Sequence, residues 1–309
     1  MPTPLTTPRP ELDALVNEFD ITGNSAGFVG LQIMPLQDTV QQSGVFPALD
    51  GKSVLSRADD RRQARGGYNR IDFGWKQDNF ACNERGLEAP VDEALAKIYA
   101  SYLDAEMEAQ KIVLYKQLVE QEFRIRDIVY TETDNDVGTP WSTSASASPR
   151  DDILDASDTI RNRCGLRPNS LQLTLTKFRQ ILRTAEFLDI AKFTGNPFTL
   201  GLEAQKRLVA DYLEVPNIII AEGVYDSADE GQDINTVDIW DDTVGFLFIQ
   251  GFGLMGGPKY GLTMNWAADS LIGTESYYEE QTRSNIIRVR HWRDEKVVLN
   301  EAGFKLTSL

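Results

Sequence analysis

Several features that commonly mark a catalytic or metal-binding function are scarce in this sequence of 309 residues. It holds two cysteines, Cys82 and Cys164, and one histidine, His291. Neither cysteine has a second cysteine or a histidine nearby, which argues against a disulfide framework and a zinc site. A Ser-His-Asp or Cys-His catalyst would have to use His291, which lies in an alternating pattern typical of a structural strand residue. We therefore predict no enzyme: no catalytic residue, no cofactor and no metal.

Segments that direct a chain into a membrane are also missing. The start, "MPTPLTTPRPELDALV", has no charged stretch followed by an apolar core, as a signal peptide would have. No apolar run approaches the length needed to span a bilayer. We expect the chain to stay in the compartment in which it is made, with no membrane partner.

Positive charge is in short supply as well. Lysine and arginine total 31 against 47 acidic residues, which gives a formal net charge of −16. Such a surface repels phosphate backbones, so sequence-specific DNA binding is a poor explanation of the function. The hydrophobic fraction of 41% and the length are those of a globular protein with a sizeable core.

The stretch "AEGVYDSADEGQDINTVDIWDD" (221–242) carries eight acids and no basic residue, and it resembles a calcium loop. An EF-hand loop needs oxygen ligands at positions 1, 3, 5 and 12, with glycine at position 6. If Gly231 takes position 6, Ala228 falls at position 3 and Val237 at position 12. The sequence therefore favours a solvated acidic loop, and a calcium-dependent binding module is kept as an alternative.

A glycine-rich stretch, "GFGLMG" (251–256), matches the spacing of a dinucleotide-binding loop. That function also requires a helix that begins at the loop and meets the pyrophosphate. Gly257 and Pro258 follow at once. The pattern therefore predicts a turn between two strands.

The clearest regular element is a helix from Pro90 to about residue 122. Proline is favoured in the first turn of a helix, and Asp92 and Glu93 would meet its positive end. Two neighbouring apolar stripes make its buried face too wide for a coiled coil. At ~1.5 Å per residue this helix would be roughly 45 Å long.

The remaining pattern predicts an α+β fold without a βαβ repeat. Residues 1–50 form an extended arm whose "GFVGLQIMP" stretch needs burial, and residues 51–88 form a long hairpin with a basic limb. Helices are predicted at 151–165, ending at Gly165, at 177–188, capped by Thr176, and at 202–215. Strands are expected at 167–176, 217–226, 243–250 and 260–266, and the chain ends in antiparallel strands that turn at Asp294-Glu295.

Taken in order, four phrases resemble the major capsid proteins of tailed bacteriophages of the Hong Kong 97 type. They are "ERGLEAPVDEA" (84–94), "WSTSASASPRDDILDASDTIRNRCGLRPNSLQLTLTKFRQIL" (141–182), the acidic stretch quoted above, and "TRSNIIRVRHWRDEKVVLNEAGFKL" (282–306). The resemblance spans roughly residues 25–309. It implies an N-arm (1–48), an E-loop (49–88), a peripheral domain with a spine helix (89–165), an axial domain (166–275) and C-terminal strands that return to the peripheral domain (276–309).

The resemblance implies a structural protein that assembles into hexamers and pentamers. These form an icosahedral shell around double-stranded DNA, which the wall contacts non-specifically. The expected location is the virion, after assembly in the host cytoplasm. The expected partners are further copies of the chain, a portal and a separate scaffolding protein, because too little sequence precedes the arm for a built-in scaffold; a decoration protein is an optional partner. An encapsulin-like nanocompartment is the alternative with the same fold.

Two groups of residues are predicted to contact neighbouring subunits. The basic limb of the hairpin should meet an acidic surface on the next subunit through Arg57, Arg61, Arg62 and Arg65. Three aromatic residues are expected to need a neighbour's surface for their burial: Phe73, Trp75 and Phe80. Some members of the family are cross-linked through lysine, but Lys52 and Lys76 have no recognisable partner, and we predict no cross-link.

Overall fold

The computed structural model describes residues 7–8, 27–49, 75–99, 104–132, 134–192, 200–251, 257–266 and 272–309, together with positions 55, 57, 60–62, 68 and 70. Its helices are α1 Gly30–Ile33, α2 Glu93–Tyr99, α3 Ala105–Tyr130, α4 Pro149–Cys164, α5 Leu175–Ile181, α6 Ala185–Ala191 and α7 Leu202–Leu213. Its strands are β1 Thr7–Pro8, β2 Leu36–Thr39, β3 Ser43–Leu49, β4 Trp75–Ala81, β5 Asn83–Asp92, β6 Asp134–Asp136, β7 Ser170–Thr174, β8 Asn217–Ala221, β9 Val224–Asp226, β10 Thr236–Asp238, β11 Gly245–Phe248, β12 Gly261–Trp266, β13 Gly273–Glu279, β14 Ser284–Val297 and β15 Gly303–Thr307. The α+β class is confirmed.

Two sheets organise these elements. The first has the order β1-β13-β14-β12-β2, and β5 pairs with β14 as well. The second has the order β6-β15-β11-β7-β8. Two hairpins complete the pairing, β3 with β4 and β9 with β10, and both are antiparallel. Within the described chain, no helix has the length and the apolar character needed to cross a membrane.

The long helix α3 lies across the first sheet, against β14 and β5. It begins after Asp104, whose side chain accepts hydrogen bonds from the backbone N–H groups of Glu106 and Met107. The predicted start at Pro90 is wrong, because Pro90 lies in β5 opposite Ile286 of β14. Among the described strands β5 pairs only with β14, so a residue without an N–H group is tolerated on its other edge.

The second sheet holds the larger apolar core. Strands β7 and β11 are buried along their whole length, and α4 and α7 contribute Ile153, Ile160 and Val209 to the same cluster. Helix α4 ends at Gly165 with φ 80°, which confirms the predicted stop. Its contacts with α7, β11 and β15 place it against this sheet.

The C-terminal region also differs from the prediction. Strand β14 runs without a turn through Asp294 and Glu295, because these residues pair with Met264 and Thr263 of β12. The following strand, β15, pairs with β11 and β6. The last strand thus belongs to the second sheet.

The helix predicted over 177–188 is also divided. Two short helices, α5 and α6, occupy this region, and Thr184 is the residue that precedes α6. The cap of α5 is Thr174, whose hydroxyl accepts from the backbone N–H of Lys177, so the predicted cap at Thr176 is wrong. Thr174 is still paired with Ala221 in the sheet, and its extended backbone suits a cap residue.

Candidate functional site

The N-terminal segment is fixed to the body of the protein by one buried carboxylate. Glu122 of α3 accepts three hydrogen bonds: from the backbone N–H of Val29 at 2.9 Å, from that of Gly30 at 2.7 Å, and from the indole Nε1–H of Trp240 at 2.6 Å. We call these four residues the arm anchor. It joins the N-terminal segment, the long helix and the segment that follows β10 at the end of the acidic loop.

The arm anchor is enclosed by apolar side chains. Glu122 is 3% exposed, and burial raises the pKa of its carboxyl group, while the three donors act in the opposite direction. A buried carboxylate is costly unless its oxygens are hydrogen-bonded, and here both oxygens accept bonds from N–H groups. Phe28 and Ile125 belong to the apolar cluster around it.

Glycines allow the N-terminal segment to approach this closely. A Cβ atom on Gly30 would lie 2.6 Å from Oε2 of Glu122 and 2.8 Å from Cδ1 of Ile125. Gly27 has φ +76° and would place a Cβ atom 2.9 Å from the backbone carbon of Glu222. The carbonyl of Gly27 accepts a hydrogen bond from the N–H of Glu222. The stretch "GFVG" (27–30) therefore needs its glycines for packing.

Beyond the arm anchor, the segment joins the first sheet as a strand. Strand β2 pairs in parallel with β12, from Leu36 opposite Thr263 to Thr39 opposite Trp266. The Thr263 hydroxyl donates to the carbonyl of Met34 at 2.9 Å, and the amide of Asn265 donates to the Asp38 carboxylate at 2.9 Å. Phe28, Val29, Ile33 and Met34 are all buried, so the prediction that this apolar stretch needs burial is confirmed.

The hairpin β3–β4 follows the segment and carries the basic connection. Its pairing runs from Ser43 opposite Ala81 to Leu49 opposite Trp75. Phe80 is 8% exposed and packs in a cluster with Phe46, Cys82, Leu262 and Met264. This chain alone therefore buries Phe80, and the argument that it needs a neighbouring subunit for burial is wrong; its contact with another subunit stays a prediction.

The structure describes part of the predicted contact group. Arg57, Arg61 and Arg62 are exposed, and the guanidinium of Arg62 lies 4.7 Å from the centre of the Tyr68 ring. Arg65 and Phe73 lie outside the described residues, as does the side chain of Trp75. The contact of these residues with a neighbouring subunit stays a prediction.

The acidic loop forms a small hairpin, β9–β10. One oxygen of Asp226 accepts from the backbone N–H of Ala228 at 3.0 Å and from that of Asn235 at 2.9 Å, and these two bonds lower the pKa of its carboxyl group. Asp226, which would supply the first ligand of the calcium pattern, therefore uses its carboxylate to close the loop by hydrogen bonds. In the part of the chain that the structure describes, no group of three or more metal-ligating side chains is found.

His291 lies in β14 against the long helix and is 2% exposed. Burial lowers the pKa of its imidazole to about 2, with smaller contributions from Arg293, Arg124 and Arg85. A neutral, enclosed imidazole is out of reach of a dissolved substrate. The position fits the structural role expected from the strand pattern.

Sequence reasoning missed the arm anchor. Glu122 lies on the buried face of α3 with Leu118 and Ile125, four residues before it and three after it. A carboxylate between apolar residues at helical spacing is a usable signal for a buried, hydrogen-bonded acid. Its partners could not be identified, because Val29 is 93 residues and Trp240 is 118 residues away along the chain.

Comparison with known proteins finds relatives in sequence and in fold. No family model matches the chain. A curated relative, the major capsid protein of Burkholderia phage BcepMu, is 22% identical over 281 residues, which cover 85% of this chain and 86% of that protein. A phage-related protein from Bordetella bronchiseptica RB50 superposes with a TM-score of 0.71 and 16% identity, over 98% of both chains. The capsid of Myoviridae phage XM1 gives a TM-score of 0.56 at 9% identity, over 92% of both chains.

The chain has the fold of phage capsid proteins. The resemblance to a phage major capsid protein, stated from four phrases of the sequence, is confirmed by this relative and by these structures. The same fold is found in the SrpI encapsulin of Synechococcus elongatus PCC 7942, with a TM-score of 0.51 at 9% identity, over 90% of this chain and 86% of that one.

Proposed function

We propose that this protein is the major capsid protein of a tailed bacteriophage, a structural subunit without catalytic activity. The observation that carries the proposal is the likeness over most of the chain, in sequence to a phage major capsid protein and in fold to the capsid of a phage. His291 is buried, and the carboxylate of Asp226 is hydrogen-bonded within its own loop. Neither side chain therefore supports a catalytic or metal-binding function.

Copies of the chain associate into hexamers and pentamers, which close into an icosahedral shell. The exposed apolar side chains support association: Val40 is 90% exposed and Val45 58% exposed, and both lie at the base of the β3–β4 hairpin. Isolated apolar residues are ordinary on a surface, so each contact is modest. A closed shell repeats such contacts around every subunit and gains stability by multivalency.

The E-loop corresponds to the β3–β4 hairpin with its connection, the spine helix to α3, and the axial domain to the region around the second sheet. The basic connection meets an acidic surface of the neighbouring subunit through Arg57, Arg61, Arg62 and Arg65. Double-stranded DNA inside the shell is contacted non-specifically, because each chain of the wall carries a formal net charge of −16 and repels phosphates. A separate scaffolding protein directs the assembly of the shell in the host cytoplasm, and a portal and an optional decoration protein join the shell in the virion.

An encapsulin-like nanocompartment is the second candidate, and the similarity in fold to an encapsulin favours it. The contents of the particle separate the two functions. Particles purified from infected or induced cells are treated with nuclease, opened, and analysed for nucleic acid and protein. A phage capsid protein protects double-stranded DNA of uniform length; particles filled with an enzyme and free of DNA would contradict the proposal.

A further inference from the structure

A groove lies between helix α5 and the start of helix α7. Four apolar residues form its floor: Leu175, Phe178, Leu182 and Leu202. Phe178 and Leu182 are buried in the core beneath it, while Leu202 is 42% exposed. The groove has a volume of about 380 Å³, which is the size of a pocket that encloses a ligand or the side chains of a partner.

The rim of this groove is positively charged. Arg179 of α5 and Arg183, two residues after the end of α5, are exposed and line the groove. Neither guanidinium forms an ion pair or a hydrogen bond within the described residues. One carboxylate, Glu222, also lines the groove, so two cations face one acid. An apolar floor with a cationic rim suits an apolar side chain that is flanked by acids.

The acidic loop carries such a side chain. Ile234, at the tip of the β9–β10 hairpin, is 80% exposed. Three exposed acids precede it in the same loop: Asp229, Glu230 and Asp233. In the part of the chain that the structure describes, none of these three carboxylates forms an ion pair. A single exposed isoleucine is ordinary on a surface, but one among unpaired acids is the chemical complement of the groove.

Hydrogen bonds hold the tip of this hairpin in a defined shape. The backbone N–H of Ser227 donates to the carbonyl of Asn235 at 2.9 Å, and the side-chain amide of Asn235 donates to the Ser227 hydroxyl at 2.9 Å. The backbone N–H of Gln232 donates to the carbonyl of Asp229 at 3.1 Å. Because the loop is already ordered in a single chain, docking it costs little conformational entropy.

The tip and the groove do not meet within one chain. Among the described residues of the stretch 221–242, only Glu222 lines the groove, and Ile234 stays exposed. Two complementary surfaces at different places on one molecule make a heterologous contact between copies. Such a contact repeats from copy to copy and closes into a ring where the rotation permits it.

We propose that the tip of the acidic hairpin docks into this groove on a second copy of the chain. Ile234 lies on the apolar floor, and the acids of the tip pair with Arg179 and Arg183. This inference rests on the proposed function, because it names two of the surfaces through which copies associate.

Cysteine cross-linking tests the contact in assembled particles. Ile234→Cys and Leu202→Cys are combined in one chain, and the native Cys82 and Cys164 are buried. Mild oxidation of the particles should give a ladder of covalent multimers on a denaturing gel, which a reducing agent removes. Each single variant should stay monomeric on the gel. Multimers from a single variant, or no ladder from the combined variant, would overturn the contact.

Charge reversal gives an independent test, with particles counted by sedimentation. Arg179→Glu combined with Arg183→Glu should lower the particle yield at least about tenfold, because the lost contact recurs around every subunit. Adding Asp229→Lys and Asp233→Lys should restore the yield, since the two surfaces again carry opposite charges. Arg207→Glu is the matched control, because Arg207 is exposed on α7 outside the lining of the groove, and it should assemble like the wild type.

The outcomes separate this contact from the proposed function. A wild-type yield after reversal of both arginines, no rescue by the two lysines, or an equal loss in Arg207→Glu would overturn the contact. Wild-type particles whose cysteine variant gives no ladder would contradict the contact alone. A wild-type chain that forms no particles would contradict the proposed function itself, and the contact with it.

Discussion

Replacing Glu122 by glutamine should loosen the N-terminal segment while leaving the rest of the fold in place. The carboxylate uses Oε1 to accept from Val29 and Trp240 and Oε2 to accept from Gly30. A glutamine has one acceptor oxygen. If that oxygen takes the place of Oε1, the NH2 group faces the N–H of Gly30, which then loses its partner.

The magnitude follows from the bonds that are lost. A hydrogen bond to a charged group contributes about 1.5–3 kcal/mol, and a buried N–H left without a partner costs about 1–3 kcal/mol. Removing a buried charge offsets part of this loss. We expect a net destabilisation of about 2 kcal/mol at the arm anchor, which corresponds to roughly 30-fold more frequent opening of the segment.

Hydrogen–deuterium exchange measured by mass spectrometry detects this opening directly. Peptides that cover residues 27–34 should exchange faster in Glu122→Gln, while peptides from β7 and β11 should be unchanged. Glu120→Gln is the matched control, because Glu120 is an exposed carboxylate on the same helix. Equal exchange of residues 27–34 in the wild type and in Glu122→Gln would refute the role of the carboxylate.

Three further predictions concern Gly30, His291 and the arginines of the hairpin connection. Gly30→Ala should lower the free energy of unfolding by about 1–3 kcal/mol, because its Cβ would lie 2.6 Å from Oε2 of Glu122; Gly138→Ala, which meets nothing within 4 Å, should leave thermal unfolding nearly unchanged. The pKa of the His291 imidazole is about 2 in the folded chain and about 6.5 in the unfolded chain. Below pH 6.5 the unfolded chain therefore binds a proton that the folded chain does not. The free energy of unfolding should be unaffected by this group above pH 6.5 and should fall by about 1.4 kcal/mol per pH unit below it. In denaturant titrations His291→Gln should flatten that slope between pH 6.5 and 4.5, and an unchanged slope would contradict the assignment. Glutamate at the four arginines of the hairpin connection should reduce the yield of assembled particles, counted by sedimentation, and a wild-type yield would rule out pairing with an acidic neighbour through Arg57, Arg61, Arg62 and Arg65.

Local signals in the sequence predicted those elements whose ends are set by neighbouring residues. Helix α4 ends where Gly165 takes a left-handed conformation, and the apolar stretch around Ile33 is buried as its composition required. Pro90 misled the prediction, because proline suits both the first turn of a helix and the edge of a sheet. The pairing of β5 with β14 decides between the two structures. These strands lie about 200 residues apart along the chain, as the contact between Glu88 and Arg288 shows.

The contacts that define the site were beyond prediction for the same reason. The three donors of Glu122 come from segments about 90 and about 120 residues away, and no local pattern indicates that they meet. The unbroken course of β14 depends on β12, whose pairing replaces the turn expected at Asp294-Glu295. The Hong Kong 97-type assignment and the domain boundaries rest on the resemblance of the sequence and stay predictions.

Electron microscopy of the expressed full-length protein, alone and together with its scaffolding protein, tests the central claim most directly. We expect closed shells of uniform diameter whose reconstruction shows icosahedral symmetry, with hexamers and pentamers of this chain. A protein that remains monomeric or forms only irregular aggregates under both conditions would contradict the account.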